Sequence, residues 1–251
     1  MKSFIFRCFG SGLCSVIITV LPSILLADEG TLPAPHVDSY IAVFGGATFP
    51  SDTDVKVDDN ARDLHFTVLD QTFSKSKSLG GKVGAWFPGF RRSTALDLGL
   101  EIDVTNYQPD VKAGHFRATG TANGNTVVGA TMPATLDVNS TIVAMNVLLR
   151  LPLYVSEEYP HGRLYPYIGG GPGFQNSSFG SQGKANYDFA VQGVAGVHVF
   201  LIRQVSIFAE YKFTHAEQTF GFITSTGTTQ DERYTFNVSH AVAGLAVHFG
   251  S

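Results

Sequence analysis

Alternation of apolar and non-apolar residues, repeated in segment after segment, limits the folds open to this chain more than any other feature. In the clearest run, 95–104, Leu96, Leu98, Leu100, Ile102 and Val104 share one face, and Asp97, Gly99, Glu101 and Asp103 the other. A second run, 205–213, sets Val205, Ile207, Ala209, Tyr211 and Phe213 against Ser206, Phe208, Glu210 and Lys212. A third, 241–249, is apolar at its odd positions. Side chains change face at every residue only in an extended strand, and almost no 3.6-residue periodicity competes. The chain is therefore expected to be all-β.

Eight strands are predicted, at 39–49, 79–87, 95–107, 136–151, 164–174, 187–202, 205–214 and 234–249. Most reach the roughly 9 to 11 residues that a tilted membrane-crossing strand needs. Their connections alternate between long, polar segments (50–78, 108–135, 175–186, 215–233) and shorter ones (88–94, 152–163, 203–204). That alternation predicts an eight-stranded antiparallel up-and-down transmembrane β-barrel, its four long loops outside the cell and its short turns and both termini in the periplasm. An exported lipocalin-like ligand-binding barrel is the alternative, with the same topology but apolar residues inside. Three features favour the membrane barrel. The polar faces carry many small residues (Gly80, Gly84, Gly99, Gly196, Gly244, Ala246), as a narrow interior requires; the connections are strongly asymmetric; and the sequence ends two residues after the last strand.

The one long apolar stretch lies at the N-terminus. Lys2 and Arg7 precede apolar residues 13–21, Pro22 and Ser23 interrupt, and Ala27 is a small residue placed for cleavage. Residues 1–27 are thus expected to be a signal peptide, 28–37 a short periplasmic segment and 38–251 the barrel domain. Removing 1–27 takes away both cysteines, Cys8 and Cys14, which leaves no disulfide, thiolate catalysis or Cys-based metal site. It also leaves 15 of the 17 Lys+Arg against 21 Asp+Glu, and no basic run, so no nucleic-acid partner is expected.

The stretch Gly244-Leu-Ala-Val247-His-Phe249 resembles the C-terminal assembly signal of bacterial outer-membrane proteins: a glycine, an apolar residue three on, and an aromatic two further. Phe249 is followed by Gly250 and Ser251, and Val242 stands where a polar residue is usual. Tyr165-Pro-Tyr-Ile-Gly-Gly-Gly171 and the glycine-spaced run 193–200, leading into Ile207-Phe-Ala-Glu-Tyr211, resemble patterns of the small outer-membrane β-barrel family that includes relatives of outer-membrane protein A's membrane domain. The resemblance spans about 38–249. It implies a monomer in the cell outer membrane, with outer-membrane lipid or lipopolysaccharide around it, the barrel assembly machinery as a partner in biogenesis, and loops open to a surface ligand. Pro172 departs from the pattern, since it removes a ladder donor; strand five is expected to stop near Gly171 or bulge there.

Parity sends Lys82, Asp97, Glu101, Asp103, Asn146, Arg150, Gln192, His198, Glu210, Lys212, His240 and His248 into the lumen. Eight strands leave room for little more than side chains. Confined charges must pair, so Glu101 and Glu210 are expected to neutralise Lys82, Arg150 and Lys212, either as a satisfied polar core or as a gated ion path. Trp86, Phe87, Tyr154, Phe200 and Phe249 are expected to form a girdle at the turn end, although alternation points Trp86 inward; Phe49, Tyr107, Phe174, Phe213 and Tyr234 form one at the loop end.

No catalytic residue is predicted. Around His215 the chain loosely resembles a lipid A deacylase, the enzymatic alternative, but Glu217 occupies the position where that family has its serine. The eight histidines show no metal-ligand spacing. Asp52, Asp54, Asp58 and Asp59 read as a solvated acidic loop rather than a Ca²⁺ site, so neither metal nor cofactor is expected. Asn123-Gly124-Asn125, between Thr-rich arms, reads as a surface hairpin. The expected role is that of a non-enzymatic barrel with a filled lumen, serving envelope structure or surface binding.

Overall fold

The computed structural model describes residues 36–59, 63–132, 138–179, 186–223 and 229–249. The predicted signal peptide, its cleavage after Ala27 and most of the 28–37 segment lie outside them. Twelve strands follow in chain order: β1 (Asp38–Pro50), β2 (Thr53–Asp59), β3 (Leu64–Gln71), β4 (Ser76–Phe87), β5 (Asp97–Tyr107), β6 (Gly114–Ala122), β7 (Asn125–Met132), β8 (Val138–Arg150), β9 (Leu164–Phe179), β10 (Asn186–Ile202), β11 (Val205–Ile223) and β12 (Thr229–Phe249).

Eight of them, β1-β4-β5-β8-β9-β10-β11-β12, form the wall. Each pairs antiparallel with its neighbour, and β1 closes the circle on β12 from Ser39↔Phe249 to Pro50↔Val238. Closure leaves no unpaired edge at membrane depth, the condition for crossing lipid with strands. The outer face is apolar: Val43, Met145 and Ile168 are 62 %, 58 % and 63 % exposed, while Lys82, Glu101, Arg150, Glu210 and Lys212 are buried. This inside-out arrangement is solvated by lipid and is the reverse of a lipocalin.

Inside, large faces small. Phe44 lies opposite Gly80, Tyr40 opposite Gly84, Trp86 opposite Gly99, Tyr167 opposite Gly196 and Phe208 opposite Gly244. A Cβ built on each of these glycines would fall 2.3–2.7 Å from the facing ring. The glycines of the polar faces are therefore slots for aromatic rings, which are buried in the lumen.

Four expectations are corrected. The long loops are largely folded: β2–β3 is a hairpin, in addition to the one expected at Asn123-Gly124-Asn125 (β6–β7), and β11 and β12 run on to Ile223 and from Thr229, well past the predicted 214 and 234. The upper end of β12 (Asp231–Tyr234) pairs with β2, β2 with β3, β3 with β6 and β6 with β7, so the loops continue the wall as a sheet beyond the barrel. Strand β9 neither stops nor breaks at Pro172, which pairs with Val191; instead the β8 ladder is interrupted, skipping from Ala144↔Gly173 to Val147↔Gly170. Finally, Trp86, Phe200 and Tyr107 are buried and do not join a girdle, whereas Phe49, Phe87, Tyr154, Phe174, Phe213 and Phe249 are exposed. The side chain of Tyr234 lies outside the described residues. In the β6–β7 hairpin, Asn123 and Gly124 both take positive φ (51° and 75°), the geometry of a two-residue primed turn.

Candidate functional site

The lumen holds the chemistry of this chain, in three tiers. At the end that carries the short turns, the Arg150 guanidinium donates to Asp38 (2.6 Å) and Asp97 (2.9 Å), and is stacked between the rings of Trp86 and Tyr165, 4.7 Å from each. A short 3-10 turn (Pro88–Phe90) and one helical turn (Arg91–Thr94) bring Arg91 beneath them, bidentate on Asp97 (2.9 and 2.6 Å) and donating to the Pro160 carbonyl (2.8 Å). This ties the first short turn to the second. There Gly162 (φ +84°) lets the chain fold back on Leu153, and His161 is buried. Burial pushes its imidazole below the ordinary value; Asp38 opposes that shift, Arg150 and Arg91 add to it, and Asp97 opposes it.

In the middle tier Lys82 lies 2.7 Å from Glu210 and 3.2 Å from Glu101, with its ammonium 4.4 Å from the centre of the Phe208 ring. Tyr40 donates to Glu101 (2.6 Å), Tyr167 to Glu210, and Asn146 to Glu101 (3.3 Å) and Gln192 (3.0 Å). Lys212 pairs with Asp103, donates to Thr105 (3.2 Å), approaches Glu210 at 3.5 Å and sits 3.8 Å over the Phe44 ring. Every ionised group here has both a counter-charge and a hydrogen bond, the condition under which buried charges are tolerated.

The third tier closes the outer mouth. Val55, Val68, Phe73 and Val111, from the bases of the first two loops, pack on Tyr107, Ile142, Val138, Ala190, Ala216 and Val238 of the wall. Phe73 and Val111 bridge, with Ser74 donating to the Asp110 carbonyl and Lys112 to that of Thr72. The loop bases are a plug rather than polar display.

All five residues predicted for the network lie in the lumen, but the pairing differs. Arg150 belongs to Asp38 and Asp97, and the main partner of Lys212 is Asp103. Glu101 and Glu210 serve Lys82. The sequence reading missed Asp38 because strand one was begun one residue late, Arg91 because parity has no meaning in a turn, and Tyr40 because both faces of β1 are apolar.

A further chain was missed. Asp38 Oδ1 lies 2.8 Å from His248 Nδ1, and Ser206 Oγ lies 2.9 Å from both His248 Nε2 and His198 Nδ1. With His248 Nδ1–H donating to Asp38, its Nε2 accepts from Ser206, and His198 donates to Ser206. These are the contacts of a Ser-His-Asp triad. It is sealed: Ser206 is 0 % exposed, and Phe200 packs on His248 with ring centres 4.6 Å apart.

Of the assembly-signal residues, Gly244 faces the lumen under Phe208, while Val247 and Phe249 are exposed on the outer face. His215 is also exposed, with Nδ1 2.7 Å from Asn237 Oδ1, and Glu217 lies beyond it on the same face. Among the described residues no group of three or more His, Cys, Asp or Glu is placed to hold a metal ion.

No family model matches the sequence, and no curated protein does. Among solved structures, the outer membrane protein OprG from Pseudomonas aeruginosa aligns with a TM-score of 0.52 at 11 % identity, over 87 % of this chain and 99 % of its own. The fold is that of an outer-membrane β-barrel. Neisserial surface protein A aligns with a TM-score of 0.42 at 13 % identity, over 84 % of this chain and 97 % of its own. The outer membrane protease OmpT from Escherichia coli aligns at 0.41 and 9 %, over 88 % and 99 %. At such identities the likeness concerns the outer-membrane barrel fold alone.

Proposed function

We propose that this protein is a non-enzymatic integral barrel of the bacterial outer membrane, whose occluded lumen is a rigid core and whose extracellular sheet binds a partner at the cell surface. The carrying observation is β7. Among the described residues it pairs only with β6, and no described strand covers its other edge. Exposed edges are ordinarily guarded by charge or proline, yet Asn125-Thr-Val-Val-Gly-Ala-Thr-Met132 has neither, and Val128 is 80 % exposed. An unguarded edge held on a rigid barrel suits strand addition by an extended segment of a partner. Removing Gly114–Met132 tests this. Lost adhesion or ligand capture by whole cells, with the barrel still inserted, is the expected result, and Val128→Lys weakens capture in the same direction. Unchanged capture in both variants assigns the protein to envelope integrity alone.

The Asp38–His248–Ser206 chain favours a second reading, that of a hydrolase. Its burial favours a structural role, as does the absence of a serine two residues after His215. Incubation with a fluorophosphonate probe separates the readings: the native barrel stays unlabelled on the structural reading, whereas labelling lost in Ser206→Ala establishes an activated serine. Lipid A mass spectra that lose an acyl chain only in the protein's presence would establish a deacylase.

A further inference from the structure

The outer surface of the wall changes character along one line. In the row Val104, Val143, Phe174, Phe189, each residue pairs directly with the next across β5, β8, β9 and β10. One step toward the loops, the corresponding row is Asn106, Thr141, Asn176, Tyr187. The apolar row closes the lipid-facing belt on these four strands, and the polar row stands at headgroup depth.

A groove of about 700 Å³ straddles this line, with Val143 and Phe174 on its membrane side and Asn106, Thr141, Asn176 and Tyr187 above. No charged side chain lines it. The Asn106 amide donates to Thr141 Oγ1 (2.9 Å) and to Asn139 Oδ1 (2.7 Å), which fixes that end of the row. Among the described residues the Asn176 amide and the Tyr187 hydroxyl make no side-chain hydrogen bond, and Tyr187 is 77 % exposed. Phe189 meets Phe174 edge-to-face, with ring centres 6.4 Å apart, and holds that ring in place.

These features select a ligand. Neutral amides and hydroxyls beside an aromatic ring match a hydroxyl-rich, uncharged sugar portion, since they offer donors and acceptors without a counter-ion and a face for the sugar's C–H groups. The apolar floor, continuous with the lipid-covered belt, matches an acyl chain on the same molecule. We infer that this groove is a binding site for an acylated saccharide of the outer leaflet, seated with its chain on Val143 and Phe174 and its sugar hydroxyls on the Asn176–Tyr187 end of the row. The inference rests on the outer-membrane location proposed above, and a heat-modifiable band on a gel reports that location independently of lipid binding.

Native mass spectrometry of the full barrel, released from micelles, tests it with three added probes: rough lipopolysaccharide, the same glycolipid with its acyl chains removed, and phosphatidylglycerol. One glycolipid is expected to be retained per wild-type barrel. Retention falls about tenfold in Asn176→Leu/Tyr187→Phe, as the loss of two neutral hydrogen bonds implies. It stays at the wild-type level in Tyr211→Phe, which alters a distant part of the outer face, and neither of the other probes is held. Equal retention by the double variant, or equal retention of phosphatidylglycerol, reduces the groove to ordinary lipid contact and overturns the proposal. Retention of the deacylated sugar overturns the commitment to a membrane source. Both variants change outward side chains only, and their heat-modifiable migration checks that they fold.

Discussion

Lys82 shows what a single residue contributes here. Its ammonium stands between two buried carboxylates, so removing it leaves Glu101 and Glu210 without their nearest cation, although Lys212 approaches one oxygen of Glu210. Breaking a buried pair in this way costs about 3–5 kcal/mol. Lys82→Met is therefore expected to lower unfolding stability in detergent by that amount, measured as a shift in guanidinium midpoint; a change below about 1 kcal/mol indicates a hydrated, screened pair. Gly99 makes an independent point. A methyl group there would fall 2.6 Å from the ring of Trp86, the only tryptophan, so Gly99→Ala is expected to shift Trp86 emission and lower the melting temperature. Unchanged emission contradicts the ring-in-slot packing. His161 sets a pH dependence. Its folded value lies below its unfolded one, so above about pH 6.5 it contributes no pH dependence. Below that value the unfolded chain binds the proton more readily, and stability falls with acidification. His161→Gln is expected to flatten the stability profile between about pH 6.5 and 5, and a profile identical to wild type removes His161 as its source. Alternation made the lumenal residues legible in the sequence, because parity needs only a clean strand. The pairing was not legible, since Arg150 meets Asp38 from across the barrel, 112 positions away, and Arg91 reaches in from a turn.

Among the elements, β5, β11 and β12 were readable because apolar residues recur at every second position along them. In β1 the inward Tyr40, Ala42 and Phe44 are as apolar as the outward Ile41 and Val43, so its two faces cannot be told apart by hydropathy. The hairpin β2–β3 reads as a loop because its period-two runs, Val55 and Val57 in β2 and Leu64, Phe66 and Val68 in β3, are too short for a membrane-crossing strand; in β6–β7 the Asn-Gly turn gave the hairpin away. Pro172 misled for a definite reason. A missing donor ends a strand when nothing else holds it, but β9 is held throughout by β10, and the defect is confined to the β8 side. In β12 the outward Phe249 serves either as an interfacial anchor or as the mark read by the assembly machinery. Phe249→Ala separates these roles. If it is read during assembly, the variant accumulates unassembled in cells yet refolds normally into micelles, and equal defects in both settings leave only the anchor.

The molecule as a whole is a barrel solvated by lipid outside and filled inside. Among the described residues, aromatic rings over facing glycines, paired charges and the loop-base plug occupy the lumen. Planar-bilayer recordings are therefore expected to show no steady conductance, and a stable open level would contradict the filled lumen. The central claim is the direction in which the two faces of the wall point. The predicted mature chain has no cysteine, so single cysteines along β8 from Ser140 to Arg150 can each carry a nitroxide and be scanned for accessibility by electron paramagnetic resonance in lipid bilayers. The account predicts a period of two, with membrane-dissolved oxygen reaching positions 143, 145, 147 and 149, and with neither oxygen nor a water-soluble nickel chelate reaching 144, 146, 148 and 150. Free access of the nickel chelate to 143, 145, 147 and 149 would contradict it, because the apolar face would then lie in water.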